Sequence, residues 1–280
     1  MLQEKHKKLQ AILREMGSVV IAFSGGVDST FLLKAALDVL GTKQVLAVTA
    51  DSETYPSGEL EEAKKLASEL GAPHQVIETS ELAIPGYQAN GRNRCYFCRQ
   101  NLFEKLQPIL EEHRFATIIF GLIADDMSDF RPGVQAAKEY GVRGPLQEAD
   151  LHKEEIRELS KQMGLPTWDK PSFACLSSRI AYGERVTKEK LTKVEKSEGF
   201  LKTLGVRQIR VRTHGEMARI EVEPQDMAIV LENKERITKR LKEYGYQYVT
   251  LDLAGFESGS MNKVLQKQTG GHNGTRSTVT

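Results

Sequence analysis

Six consecutive residues, Ser24-Gly25-Gly26-Val27-Asp28-Ser29, carry the clearest chemistry in this chain. Their types suit an anion. Gly25 and Gly26 can take positive φ and bring backbone N–H groups close to phosphate oxygens. Ser24 and Ser29 add hydroxyl donors, and Asp28 can help hold a Mg²⁺ that bridges phosphates. An apolar, β-branched run at 19–23 precedes the hexapeptide and a helical pattern at 30–37 follows it. Where a strand hands over to a helix, successive N–H groups and the positive helix end converge on one point. The expected ligand is a nucleotide phosphate. A flexible Ser/Gly turn is the plainer alternative, but the hexapeptide is more selective than a lone GxGxxG. The GxxxxGK[ST] pattern is absent, so phosphoryl transfer of that kind is not expected.

The second set of reactive residues is the three cysteines. Cys95 and Cys98 form a CxxC at the start of an expected helix, and Cys175 stands far downstream. A redox dithiol, a half zinc site and part of an iron–sulfur cluster compete. The redox reading wants the CxxC directly after the first strand, which is not its place here. Zinc would need His113 or His74 to complete four ligands. Three thiolates suit a [4Fe–4S] cluster whose remaining iron is open to sulfide or a substrate sulfur. Three unrelated buried thiols are the purely structural alternative. Arg92, Arg94, Arg99 and Arg179 weigh against it, because they would lower thiol pKa values and offset cluster charge.

Basic residues gather between Arg179 and Arg212. In Arg210-Val211-Arg212, strand alternation puts both guanidiniums on one face. Such a pair makes a fork for phosphate or carboxylate. Glu198 and Glu221 would balance these charges or hold a divalent ion.

These residues need a frame. Helical patterns at 2–16, 28–40, 56–70, 96–112 and 152–163 alternate with strand patterns at 18–23, 44–49, 74–78 and 116–120. The expected fold is α/β, a parallel sheet with helices on both faces. Ligands in such sheets bind beyond the carboxyl ends of the strands. Ser24, Ala50, Asp51 and the turn at 121–126, with Asp125 and Asp126, fall there. Regularity breaks at 164–171. From about 185 the order becomes helix 187–204, strands 207–213 and 217–223, helix 224–243 and strand 246–252, a small α+β domain. The expected division is 1–175, 176–263 and a tail at 264–280, polar and Gly-rich from Gln266, for which disorder is expected.

With 39 Lys plus Arg against 38 Asp plus Glu, a large nucleic acid is not the expected main partner. No apolar run is long enough to span a bilayer, and the first ten residues are a charged helix rather than a signal peptide. Three cysteines cannot all pair, so a reducing cytoplasm is expected.

The hexapeptide resembles the PP-loop of the N-type ATP pyrophosphatases, in which the loop grips the β- and γ-phosphates while a nucleophile attacks the α-phosphate. The turn at 121–126, Asp129-Phe130-Arg131-Pro132-Gly133, Cys175 with Ser177-Ser178-Arg179, Arg210-Val211-Arg212 and residues 250–256 narrow this. Together they resemble the LarE family, ATP-dependent sulfur transferases of nickel-pincer cofactor (lactate racemase) biosynthesis, over nearly the whole chain to about residue 263. The resemblance implies the PP-loop ATP pyrophosphatase fold and the cofactors ATP and Mg²⁺. It implies adenylylation of a carboxylate of pyridinium-3,5-dicarboxylate mononucleotide, release of pyrophosphate, and displacement of AMP by sulfur to give a thiocarboxylate. Cys175 is then the sulfur-bearing position, with Ser178, Arg179, Arg210 and Arg212 near the substrate. Members with one cysteine give up its sulfur. Members with three look built for a [4Fe–4S] cluster, which here would sit on Cys95, Cys98 and Cys175. A sulfide or sulfur carrier and a homo-oligomer, a hexamer by the resemblance, are implied partners. A tRNA-thiolating PP-loop enzyme is the alternative, against which stand the near-neutral charge and the lack of an appended RNA-binding module. A non-catalytic nucleotide-binding module would be excluded by turnover of ATP to AMP and pyrophosphate.

Overall fold

The computed structural model describes residues 1–128, 132–171, 174–257 and 259–262. The expected tail at 264–280 lies outside the described residues, as do Asp129, Phe130 and Arg131 of the turn singled out above. Contacts divide the chain into two compact units, Met1–Gln88 with Asn93–Cys175, and Ala89–Arg92 with Leu176–Thr280.

The first unit opens with α1 (Leu2–Met16), which buries Leu9, Leu13 and Met16 at helical spacing and stops at Gly17, φ 73°. Then come β1 (Val19–Ala22), α2 (Val27–Leu40), β2 (Val45–Asp51), α3 (Ser57–Glu69), β3 (His74–Glu78), the short α4 (Pro85–Gln88) and α5 (Arg94–His113). β4 (Thr117–Phe120), α6 (Pro132–Glu139), the short α7 (Pro145–Glu148) and α8 (Lys153–Gln162) complete it. The sheet runs β3-β2-β1-β4 with every pairing parallel, Ala22 opposite both Val48 and Phe120. β1 is buried on both faces. Val19 and Ile21 pack with Leu13, Phe31 and Leu32, while Val20 and Ala22 pack with Phe103, Leu106 and Ala136. Each large apolar side chain buried this way contributes about 1.5–3 kcal/mol. The chain steps outward from β1 to β3, then crosses to β4 on the other side of β1. That reversal places the 24–29 loop and the segment after β4 at the topological switch point, where ligands of such sheets bind.

The second unit contains α9 (Lys188–Thr203), β5 (Ile209–His214), β6 (Met217–Val222), α10 (Met227–Glu232), α11 (Lys234–Glu243) and β7 (Tyr248–Leu251). β5 and β6 pair antiparallel, β6 and β7 parallel. Val211, Ile220 and Leu241 lie in its own core. Among the described residues no helix is long and apolar enough to cross a membrane.

The α/β class and the parallel sheet are as expected from the sequence. Two details differ. The single helix expected over 224–243 is a tight turn at Pro224–Asp226 followed by two helices. Pro224 fixes φ at the start, and Asn233, whose Nδ2 donates to the Ile229 carbonyl at 2.9 Å, separates α10 from α11. Between the strand expected at 74–78 and the helix expected at 96–112, where no element was expected, the chain forms a turn at Glu81–Ala83 and α4.

Candidate active site

The loop between β1 and α2 is shaped from both sides. Gly25 has φ 62°, and a Cβ there would lie 3.1 Å from Ala63 of α3, so only glycine fits. Ser29 Oγ donates to the Gly26 carbonyl (3.2 Å) and accepts from Ser24 N (3.3 Å), closing the turn. Two carbonyls are pulled away from its hollow. The Tyr55 hydroxyl donates to Ser24 O at 2.7 Å, and Lys170 Nζ donates to Gly25 O at 3.2 Å. In a trans peptide N–H and C=O point oppositely, so these bonds aim the N–H groups of Gly25 and Gly26 the other way. Two convergent N–H groups at the start of α2 are what an anion requires.

Asp28 lies in the first turn of α2. Burial pushes its carboxyl above the ordinary value, and Asp126 adds to this, while Lys153 opposes it. Lys153 Nζ meets both Asp28 oxygens at 2.8 Å, and the Lys153 amide donates to Asp125 Oδ2 at 2.8 Å. Burial works to raise Asp125 as well, but the Lys153 amide and the His152 ring outweigh it and hold it low. Asp126 Oδ2 caps the turn after β4 by accepting from Ile123 N (3.2 Å). Ser24, Gly25, Gly26, Asp28, Ser29, Asp125 and Asp126 are thus brought together around the ends of β1 and β4. A cleft of about 640 Å³ opens beyond the carboxyl ends of β2 and β3, lined among others by Asp51, Glu53, Glu78 and Lys105.

The cysteines also belong to the first unit. Cys95 and Cys98 occupy the first two turns of α5, Cys95 exposed, Cys98 and Cys175 half-buried. Burial pushes the Cys98 thiol far up, followed by the Glu81 carboxylate and Cys175, with Cys95 a smaller contributor and Arg99 opposing. Cys98 therefore shares a neighbourhood with both other thiols. Glu81, 4% exposed, accepts from Thr54 and Thr79. Phe97 packs against Gly86, where a Cβ would come within 2.5 Å of its ring. The donor set suits an iron–sulfur cluster in kind and number, three thiols in one region. Among the described residues, however, no group of three or more His, Cys, Asp or Glu side chains stands close enough to hold a metal ion. The zinc alternative fails on geometry. His113 sits fifteen residues beyond Cys98 on the same helix, about 22 Å along its axis, and His74 bonds the Thr49 hydroxyl at 2.8 Å.

In the second unit the expected arginines do converge. Arg179, 2% exposed, forms a fork with Glu198, Nε to Oε1 and Nη2 to Oε2 both 2.9 Å, and its Nη1 donates to Ser178 Oγ at 3.0 Å. Arg212 donates to Glu221 Oε2 (2.9 Å) and to the Ser178 carbonyl (3.1 Å). Arg210 lies over the Phe256 ring at 5.2 Å. Burial lowers the Arg210 pKa to about 10, with Arg179 and Arg212 adding like-charge repulsion that Glu198 and Glu221 partly offset. Glu198 and Glu221 are thus each paired with a buried arginine, Arg179 and Arg212.

Residues 1–122 match a family described as NAD synthase. A protein of Synechocystis is 44% identical over 95% of this chain and all of its own length. The pyridinium-3,5-bisthiocarboxylic acid mononucleotide synthase of Lactiplantibacillus plantarum is 39% identical over 95% of this chain and 96% of its own. The chain belongs to the LarE family. It is an enzyme built on the PP-loop ATP pyrophosphatase fold.

Within this LarE chain, sequence reasoning passed over Tyr55, Lys153 and Lys170. Each grips the PP-loop from outside. Tyr55 follows β2 in a run of polar residues, Lys153 begins a charged KEE run that reads as a solvated helix face, and Lys170 falls in the irregular break at 164–171. None carries a local signal. Only the strand–loop–helix topology brings them to the loop.

Proposed function

We propose that the chain activates a carboxylate of pyridinium-3,5-dicarboxylate mononucleotide with ATP and replaces an oxygen by sulfur. The substrate carboxylate attacks the α-phosphorus and pyrophosphate leaves. A sulfur nucleophile then attacks the acyl carbon and AMP leaves, giving a thiocarboxylate, and the cycle repeats on the second carboxylate. The observation that carries this reading is the PP-loop, whose Ser24 and Gly25 carbonyls are taken up by Tyr55 and Lys170, which leaves the N–H groups of Gly25 and Gly26 for an anion. The name of the Lactiplantibacillus relative supplies the substrate class.

Ser24, Gly25, Gly26 and Ser29 bind the leaving β- and γ-phosphates. Asp28, Asp125 and Asp126 are the carboxylates that would hold Mg²⁺, with Lys153 as the cation already among them. Ser178, Arg179, Arg210 and Arg212 are assigned to the substrate's anionic groups, where guanidiniums fixed in advance stabilise charge that water would otherwise have to reorganise around. Cys95, Cys98 and Cys175 would hold a [4Fe–4S] cluster, which supplies a sulfide on the iron that lacks a protein thiolate. The lack of a closed three-ligand group among the described residues favours a second reading, in which Cys175 itself gives up its sulfur. By resemblance the protein works as a homo-oligomer.

Incubation with ATP, the dicarboxylate nucleotide and sulfide is expected to yield AMP and pyrophosphate in equal amounts with a thiocarboxylate product by mass. ADP and phosphate as the products would overturn the proposal. About four iron and four sulfide per chain after anaerobic purification, lost in Cys95→Ala, supports the cluster. An iron-free protein whose Cys175 loses the elements of H₂S on turnover supports the sacrificed side chain.

A further inference from the structure

Among the described residues ahead of Cys175, Lys170 is fastened to the PP-loop. Lys170 Nζ donates to the Gly25 carbonyl (3.2 Å) and pairs with Glu59 (2.7 Å) and Glu62 (2.9 Å) of α3. The lysine side chain is only 12% exposed. Its backbone is held separately. Arg157 of α8 donates to the carbonyls of Trp168 (2.6 Å) and Lys170 (2.8 Å), Lys161 lies over the Trp168 ring at 4.8 Å, and Lys170 N closes a turn on Thr167 O (3.0 Å). The same α8 grips the far side of the loop through Lys153 and Asp28. Residues 167–170 therefore form a fixed turn carried by α8, with its ammonium resting on the loop. Cys175 follows five residues later, within about 18 Å of Lys170 even for extended chain.

We infer that Lys170 is a positioning residue that couples nucleotide occupancy of the PP-loop to the placement of Cys175. The inference rests on the reading of the loop as an ATP site. Phosphates that accept from the Gly26 N–H polarise the Gly25–Gly26 peptide, and a polarised carbonyl is a better acceptor for the ammonium. Nucleotide therefore tightens the Lys170 contact, and the tightened contact holds the 167–170 turn against the loop. The ammonium has three N–H donors, and the two carboxylates leave one of them for the Gly25 carbonyl. Coupling of this kind is reciprocal, so fixing the turn also favours nucleotide. In chemical order, sulfur delivery from Cys175 or from a group it holds is wanted only after ATP has activated the substrate, and this contact lets the loop report its state.

The test uses the full-length protein and reads alkylation of Cys175 by iodoacetamide, followed on its own peptide by mass spectrometry, with and without saturating Mg-ATP. In the wild type, ATP is expected to change the Cys175 rate at least about threefold. In Lys170→Met that change is expected to vanish, and ATP affinity to fall about tenfold with the loss of one charge-assisted bond. Tyr55→Phe removes the hydrogen bond to the Ser24 carbonyl and keeps the Lys170 ammonium, so it should weaken ATP binding and keep the full Cys175 response at saturation. A Lys170→Met protein with the wild-type response would overturn the inference, as would a wild type that binds ATP with no change at Cys175. Should Lys170→Met fail to fold by circular dichroism, Lys170→Gln decides the matter on the same reading, since its amide is too short to keep the contact. A wild type that does not bind ATP at all overturns the reading of the loop and the inference with it.

Discussion

A guanidinium crowded by its own kind is an uneasy resident until an anion arrives. Arg210 has its pKa lowered to about 10, by burial first and then by Arg179 and Arg212. An anion that binds beside it must pull that value back up. By linkage, affinity for a phosphate-bearing pyridinium nucleotide should therefore be full below about pH 10 and fall as pH rises through it. Arg210→Met should cost about 2 kcal/mol of that affinity, the worth of hydrogen bonds to a charged group, and should flatten the pH dependence. Titration calorimetry on both proteins at pH 8 and near pH 11 checks this (settings spanning the shifted value); unchanged affinity in the variant sinks the assignment. Lys153 makes a second case. Lys153→Met leaves Asp28 buried beside Asp126 with its main counter-charge gone. Pyrophosphate exchange should fall about a hundredfold, in kcat more than in KM, and exchange at the wild-type rate would show that Lys153 only packs. The loop itself was legible because glycines, hydroxyls and an acid between a strand and a helix have few other uses. Lys153 was not, because a lysine in a charged helical run looks the same whether it faces water or a carboxylate 125 residues away in sequence.

Elements explain why the loop residues stay where their types are useful. The end of β4 passes so close to the start of α2 that a Cβ on Gly121 would lie 3.2 Å from both Asp28 Cβ and Ser29 N. The obstacle is backbone and cannot swing aside. Gly121→Ala should destabilise the first unit by about 1–3 kcal/mol and displace Asp28, seen as a lower melting midpoint together with weaker ATP binding. A stable variant that binds ATP normally would show the helix start to be more yielding than its packing suggests. A second inter-strand tie runs from β3 to the loop. The Thr49 hydroxyl donates to Phe23 O (2.9 Å) and meets His74 Nε2 at 2.8 Å, so the imidazole donates to Thr49. Burial, then Lys64, lowers the His74 pKa below its usual 6.5. The unfolded chain then binds a proton the folded one resists, so the contribution of His74 is full above about pH 6.5 and is lost as pH falls through its lowered value. His74→Gln should shrink the loss of stability between pH 7 and pH 5, measured by urea unfolding. The parallel sheet could be read from its alternating elements. The interruption at Asn233 could not, because an Asn in a helical pattern becomes a break only when its side chain turns back to a carbonyl, here that of Ile229.

At the scale of the whole chain, four residues matter out of proportion to their number. Ala89–Arg92 lie between α4 and α5 of the first unit in sequence, yet they pack with the second. Asn90 explains their membership. It is fully buried and sits at φ 52°, a left-handed conformation that Asn tolerates better than most residues. Its Nδ2 donates to the carbonyls of Ile180 (3.2 Å) and Ala181 (2.8 Å), and its own carbonyl accepts from Gly183 N (3.1 Å). A polar loop residue in a stretch rich in Gly and Asn gives no hint of this in sequence, since its partners lie some ninety residues on. Asn90→Ala would leave the buried Ile180 carbonyl without its side-chain donor, take one of two donors from the Ala181 carbonyl, which keeps the Glu184 N–H (3.0 Å), and force alanine into positive φ. The expected cost is about 2–4 kcal/mol, from the orphaned acceptor and the backbone strain together. It should fall on the second unit alone. Hydrogen exchange followed by mass spectrometry can separate the units, and amides of β5 and β6 should lose protection while those of β1 and β2 keep theirs. Equal loss in both sheets would mean that the chain unfolds as one cooperative block, and that Asn90 serves the whole molecule rather than the unit in which it is buried.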